Sequence, residues 1–174
     1  MKQKITGTPN KIQFYYYVDD IFDPVSMRSL YRAKKIKTEG GVEQAIDEYA
    51  IQEDERSPFN EFLKIAIYDA FNYVKKMTKN VDNALFVFVT GTEASVSQSD
   101  DVVGFYVEDK AAYNENVLDI VDKNIKEYLK VSVLLQWYLN TGVDDEAAKM
   151  QAQLQSWVNK LMDSLFQLRI PLMS

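Results

Sequence analysis

Val131-Ser-Val-Leu-Leu-Gln-Trp-Tyr-Leu139, followed at once by Asn140-Thr-Gly142-Val-Asp144, decides the fold. The first run is apolar nearly all round, as expected of a helix covered on most of its faces. Gly142 reads as a C-terminal cap and Asp144 as an N-cap, so one helix ends and the next begins within a tight turn. Upstream, Leu118, Val121, Ile125, Tyr128 and Leu129 recur at helical spacing, which predicts a helix from Ala111 to Asn140. Downstream, Ala147, Leu154, Trp157, Val158, Leu161, Leu165 and Leu168 carry the pattern to Arg169. Residues 111–169 therefore read as a helical hairpin closed by Leu134, Trp137, Trp157 and Leu161, with both tryptophans as core anchors.

Before this hairpin, Ala84 to Thr90 and Val102 to Glu108 are rich in Val and Phe and flank a polar linker, Gly91 to Asp101. They read as a β-hairpin over residues 84–108 with a long tip. Ser57-Pro58 places a cap before a proline, and Phe59, Phe62, Leu63, Ala66, Ala70, Phe71, Val74 and Met77 behind it define another amphipathic helix. Asp23-Pro24 repeats the signal, predicting a short helix with Met27, Leu30 and Tyr31 on its apolar side that stops by Gly40-Gly41. A second short helical piece covers Val42 to Tyr49, and Glu53-Asp54-Glu55 reads as a solvated approach to the Phe59 helix. Ile12 to Val18 reads as one N-terminal strand, and residues 1–11 as a mobile arm. The expected architecture is α+β, mainly helical: a bundle with a long C-terminal helical hairpin, a β-hairpin and one N-terminal strand. No repeat or apolar-poor linker divides the chain, so residues 1–174 read as a single domain ending in a tail, residues 170–174.

Composition narrows the chemistry. The 174 residues are 47% hydrophobic and 13% aromatic with 6 Gly and 4 Pro, which excludes disordered and collagen-like classes. At this length roughly 70% of the unfolded surface is buried on folding, enough for a sizeable core. There is no cysteine and no histidine, so disulfides, thiolate and imidazole metal ligands, Cys nucleophiles and His-based triads are removed together. Acid–base chemistry by Asp, Glu, Lys or Tyr stays open. A net charge of −6 argues against general adhesion to nucleic acid or anionic membrane. The first residues carry no secretory pattern, and no run approaches the roughly 20 apolar residues of a transmembrane helix, so a cytoplasmic site of synthesis is expected.

The candidate sites are few. The glycines never take a phosphate-loop or dinucleotide spacing, so no nucleotide cofactor is expected. Asp19-Asp20, Asp100-Asp101 and Asp144-Asp145 offer oxygen ligands for Mg²⁺ or Ca²⁺, and equally suit caps and turns; no metal site is assigned to them. Arg28, Arg32, Lys34, Lys35 and Lys37 lie in a stretch free of acids from Asp23 to Glu39. They read either as a docking surface for phosphate or an acidic partner, or as cations gathered at a helix C-terminus. Tyr15-Tyr16-Tyr17 reads as core or interface rather than as a base-stacking platform. In the tip, Gly91, Thr92, Glu93, Ser97, Asp100 and Asp101 lack the apolar bulk for burial in one subunit and are expected to be ordered by a neighbour. Pro171 stops the last helix near Arg169 and leaves Ile170, Leu172 and Met173 for a partner groove or for the chain's own surface.

One longer pattern carries a resemblance. Tyr17-Val-Asp-Asp-Ile-Phe-Asp-Pro-Val-Ser-Met-Arg-Ser-Leu-Tyr31 is followed by Asp54-Glu55-Arg56 ahead of the Phe59 helix, and then by the strand hairpin. Lys126-Glu127-Tyr128-Leu129 then leads to Leu135-Gln136-Trp137-Tyr138-Leu139. This layout resembles small head-tail connector (neck ring, adaptor) proteins of tailed bacteriophages, especially crAss-like and related phages of gut Bacteroidales. The resemblance spans most of the chain in order and character and includes no catalytic motif. It implies a non-enzymatic virion protein, made in the host cytoplasm, that forms a homo-oligomeric ring, commonly twelvefold, between portal and tail. It implies no cofactor, contacts with portal and other neck or tail proteins, DNA passing through the lumen without specific binding, and no membrane. The tip and the termini would be the reaching parts. Two other classes stay open: a cytoplasmic non-enzymatic binding or regulatory module using the basic first helix, and a carboxylate enzyme with a divalent metal.

Overall fold

Alternating β-rich runs at the front and 3.6-residue periodicity behind them place a small sheet against a helical body. The structure, a computed structural model, describes residues 2–5, 11–77, 85–89, 102–108 and 115–168. In chain order the elements are β1 (Lys2–Ile5), β2 (Lys11–Tyr17), α1 (Val18–Ala33), α2 (Gly41–Tyr49), a 3-10 turn (Glu53–Glu55), α3 (Arg56–Met77), β3 (Leu85–Val89), β4 (Val102–Glu108), α4 (Glu115–Thr141) and α5 (Asp144–Leu168). The fold is α+β and mainly helical, as the sequence indicated.

The sheet is antiparallel, in the order β1-β2-β4-β3. Its centre pairs β2 with β4, from Lys11 opposite Glu108 to Tyr17 opposite Val102. Two corrections arise here. Residues 2–5 are not a mobile arm but a strand, with Lys2 opposite Phe14 and Ile5 opposite Lys11. The N-terminal part of the sheet thus holds two strands rather than one. The Lys-Gln-Lys-Ile sequence suggested an arm because it is polar, yet lysine-bearing strands suit a sheet edge, where unpaired backbone faces water. The expected β-hairpin is present as β3 paired with β4, with a register shift between Phe86 and Val89. Ile12, Phe14, Tyr16, Val103 and Phe105 are buried against the helices, with Phe14 and Phe71 rings 5.5 and 5.6 Å from that of Phe105.

The first helix begins earlier than its Asp23-Pro24 signal. α1 starts at Val18 straight from β2, Tyr17 takes the N-cap position without a side-chain cap, and Pro24 lies inside the helix. An interior proline costs roughly 3 kcal/mol. Burying Val18, Ile21, Phe22 and Val25 contributes about 1.5–3 kcal/mol each, so packing wins over propensity. Asp19 and Asp20 then occupy the first turn, where the helix dipole favours anions. The buried face of the helix ends on Ser29 and Ala33, while Met27 and Tyr31, expected inside, are 66% and 62% exposed.

α3 buries the expected stripe of Phe59, Leu63, Ala66, Ala70, Phe71 and Val74, and adds Ile67. Ser57 is not its cap, because the 3-10 turn leads straight into Arg56. The C-terminal hairpin is the longest packing seam, with α5 lying along α4. Gly142 adopts φ +71°, and the Val143 amide reaches back to the Tyr138 carbonyl at 2.9 Å, the six-to-one bond that closes a helix through a left-handed residue. Val131 to Leu135, Trp137 and Tyr138 are all buried, as the all-round apolar run predicted. Of the two tryptophans only Trp137 is a full core anchor. Its Nε1 donates to the Tyr49 carbonyl at 2.9 Å, so it holds α2 rather than facing Trp157. Trp157 is only partly buried, with Lys160 Nζ 3.9 Å above its ring. The stretch 111–114 lies outside the described residues.

Candidate functional site

A group of interacting charged and polar side chains lies where α1, α4 and α5 meet. Arg32 stands in the last turn of α1 and Glu146 in the first turn of α5, the two helix ends where those charges are favoured. Arg32 Nη1 is 3.3 Å from Glu146 Oε2, and Lys149 Nζ donates to Glu146 Oε1 at 2.5 Å. One turn earlier on α1, Arg28 Nη2 donates to Gln153 Oε1. Burial and then the neighbouring Arg32 charge lower the Arg28 pKa.

Beneath these groups Tyr138 is fully buried, and its hydroxyl has no hydrogen-bond partner. Burial, reinforced by Glu146 and opposed by Arg32 and Arg28, raises its pKa to about 12. A neutral phenol among paired charges is a packing element at ordinary pH, and the seam clamps α1 to α5 across α4. It also decides the fate of two predicted docking residues. Arg28 and Arg32 are half-buried with partners on α5, an amide for Arg28 and a carboxylate for Arg32, whereas Lys34 and Lys35, in the turn after α1, are exposed.

The tyrosine strand divides by the strand period. Tyr16 faces the helices, fully enclosed, and its hydroxyl donates to the Asp122 carbonyl at 3.3 Å. Burial and Asp122 push its pKa well up. Tyr15 and Tyr17 lie on the other face, their rings edge to face at 6.1 Å.

The acidic pairs within the described residues are held by cations or by helix ends. Asp19 accepts from Arg56 at 2.6 Å and Asp20 from Lys126 at 3.1 Å. Asp144 and Asp145 sit in the first turn of α5. Among the described residues no three carboxylates gather in a geometry for a metal ion, and no helix is long and apolar enough to cross a membrane. The predicted tip residues Gly91, Thr92, Glu93, Ser97, Asp100 and Asp101, and the tail residues Ile170, Leu172 and Met173, lie outside the described residues.

Met27 and Tyr31, expected on the apolar side of α1, form an exposed pair one helical turn apart, and Lys35 Nζ sits 4.2 Å above the Tyr31 ring. Ile65 and Tyr68, outside the predicted apolar stripe of α3, make a second exposed pair. Compared with protein-family models, with curated proteins and with solved structures, the chain matches none.

Proposed function

We propose that the chain is a structural subunit of an oligomeric ring in the neck of a tailed phage, placed between portal and tail and allowing DNA to pass. The observation that carries this reading is the presence of two separate apolar ridges, Met27 with Tyr31 on α1 and Ile65 with Tyr68 on α3. Large apolar side chains grouped on a surface mark protein contacts. A ring subunit seated between portal and tail needs more than one contact surface, for its neighbours in the ring and for the rings on either side. The connector-like sequence pattern supplies the identity of the ring, and an acidic chain suits a lumen through which phosphate slides without adhering.

The competing regulatory-module reading depends on four cations of the first helix region acting together. Arg32 is already paired with Glu146, and Arg28 is hydrogen-bonded to Gln153, so the four do not form one free basic face.

Interrupting the gene during infection tests the proposal. Filled heads that fail to join tails, restored by the chain supplied in trans, are expected. Normal tailed particles made without the chain overturn the reading.

A further inference from the structure

Charge along the first third of the chain is sorted into two adjacent blocks. Residues 24–37 hold five cations and no acid; residues 38–55 hold seven acids and no cation. The first block is the second half of α1 and the turn after it. The second is α2 and the 3-10 turn.

α1 and α2 touch, yet the two blocks do not neutralise each other. Lys34, Lys35, Glu43 and Asp47 are all exposed, and none of them takes part in an ion pair among the described residues. Each block also carries exposed apolar surface, Met27 and Tyr31 on the basic side and Val42, 51% exposed, on the acidic side. An exposed tyrosine and methionine are residue types enriched where proteins dock, and the flanking charges supply complementarity.

We infer that the basic end of α1, with Lys34 and Lys35 in the turn after it beside exposed Met27 and Tyr31, docks on the acidic ridge of α2 in a second copy of this chain. The complement of each ridge is present on every copy, and like ridges repel, so opposite ridges meet. Each subunit then gives one ridge and receives another. This deepens the ring reading, on which it rests for its biological setting, by naming a contact between copies.

The test uses the full chain and two charge reversals at exposed positions, Lys34→Glu with Lys35→Glu, and Glu43→Lys with Asp47→Lys. Circular dichroism first confirms that both variants keep the wild-type helix content. Sedimentation velocity at low salt then follows wild type, each variant alone and the equimolar mixture. Wild type self-associates and does so more weakly as salt rises, because exposed charges are screened. Each variant alone associates about tenfold or more weakly, and the mixture, which again pairs opposite ridges, recovers. A wild type that stays monomeric, a variant that associates as well as wild type, or a mixture that does not recover overturns the inference. The readout is on isolated protein, so such a failure leaves the virion role standing, and loss of the virion role leaves a measured self-association standing.

Discussion

Asn124 and Ser164 meet inside the seam between α4 and α5, with Asn124 Nδ2 3.1 Å from Ser164 Oγ and 3.1 Å from the Lys160 carbonyl. Both residues are buried, and the Ser164 hydroxyl donates a hydrogen bond to the Leu161 carbonyl at 2.8 Å. A polar pair of this kind in an apolar seam fixes helix register, since a slip by one turn leaves its donors buried without acceptors. Asn124→Ala should cost about 1–3 kcal/mol in urea unfolding. The cost of the double change with Ser164→Ala should fall short of the sum by about 0.5 kcal/mol or more. Additive costs would show that the two side chains do not cooperate.

The two tryptophans should separate cleanly. Trp137→Ala removes a buried ring and is expected to cost about 3–5 kcal/mol, whereas Trp157→Ala removes a partly exposed ring and should cost about 1 kcal/mol. Trp137→Phe keeps most of the packing and isolates the lost bond to the Tyr49 carbonyl, worth about 1–2 kcal/mol. Chemical denaturation of the three variants checks the order, and equal losses for the two alanine variants would contradict the burial pattern.

Alkali should unfold the protein through its buried phenols. Tyr16, Tyr128 and Tyr138 all have folded pKa values raised above the ordinary 10.0, chiefly by burial. The folded state therefore holds these protons after the unfolded state has released them, so their contribution is intact below pH 10 and is lost as pH rises. For Tyr138 the loss runs from 10.0 to about 12, at about 1.4 kcal/mol per pH unit. Tyr138→Phe should flatten the pH dependence and leave neutral stability nearly unchanged, because its hydroxyl has no partner to lose. Stability that is flat through this range in wild type would show that Tyr138 is hydrated.

The α1–α5 clamp yields a salt-linked prediction. Glu146→Ala leaves Arg32 and Lys149 without their shared anion and should cost about 1–3 kcal/mol in thermal or urea unfolding. Added salt should recover part of that loss by screening the cations. If Arg32→Ala costs as much again in the Glu146→Ala background as in wild type, the two residues are not coupled.

Much of the helical frame was legible because apolar spacing and caps agree. The Gly142 turn, the Phe59 stripe and the buried run ending at Tyr138 all follow from local pattern. The start of α1 was not, because Asp23-Pro24 is a strong local signal and only the packing of Val18, Ile21 and Phe22 on the core overrules it. The exposed pair was hidden because Met27 and Tyr31 keep helical spacing whichever way they face. Strand β1 was missed because a short polar edge strand carries no periodic signal of its own. The partners of Arg28 and Arg32 sit on α5, more than a hundred residues away, and no local reading reaches them.

The ring claim is tested most directly by counting. Quantitative mass spectrometry of purified, DNA-filled tailed particles measures copies of this chain against copies of the portal subunit. A closed ring gives a fixed ratio that persists through density-gradient purification. Particles that carry the full tail and contain no copies of the chain, or copies that wash away in variable amount, would contradict it.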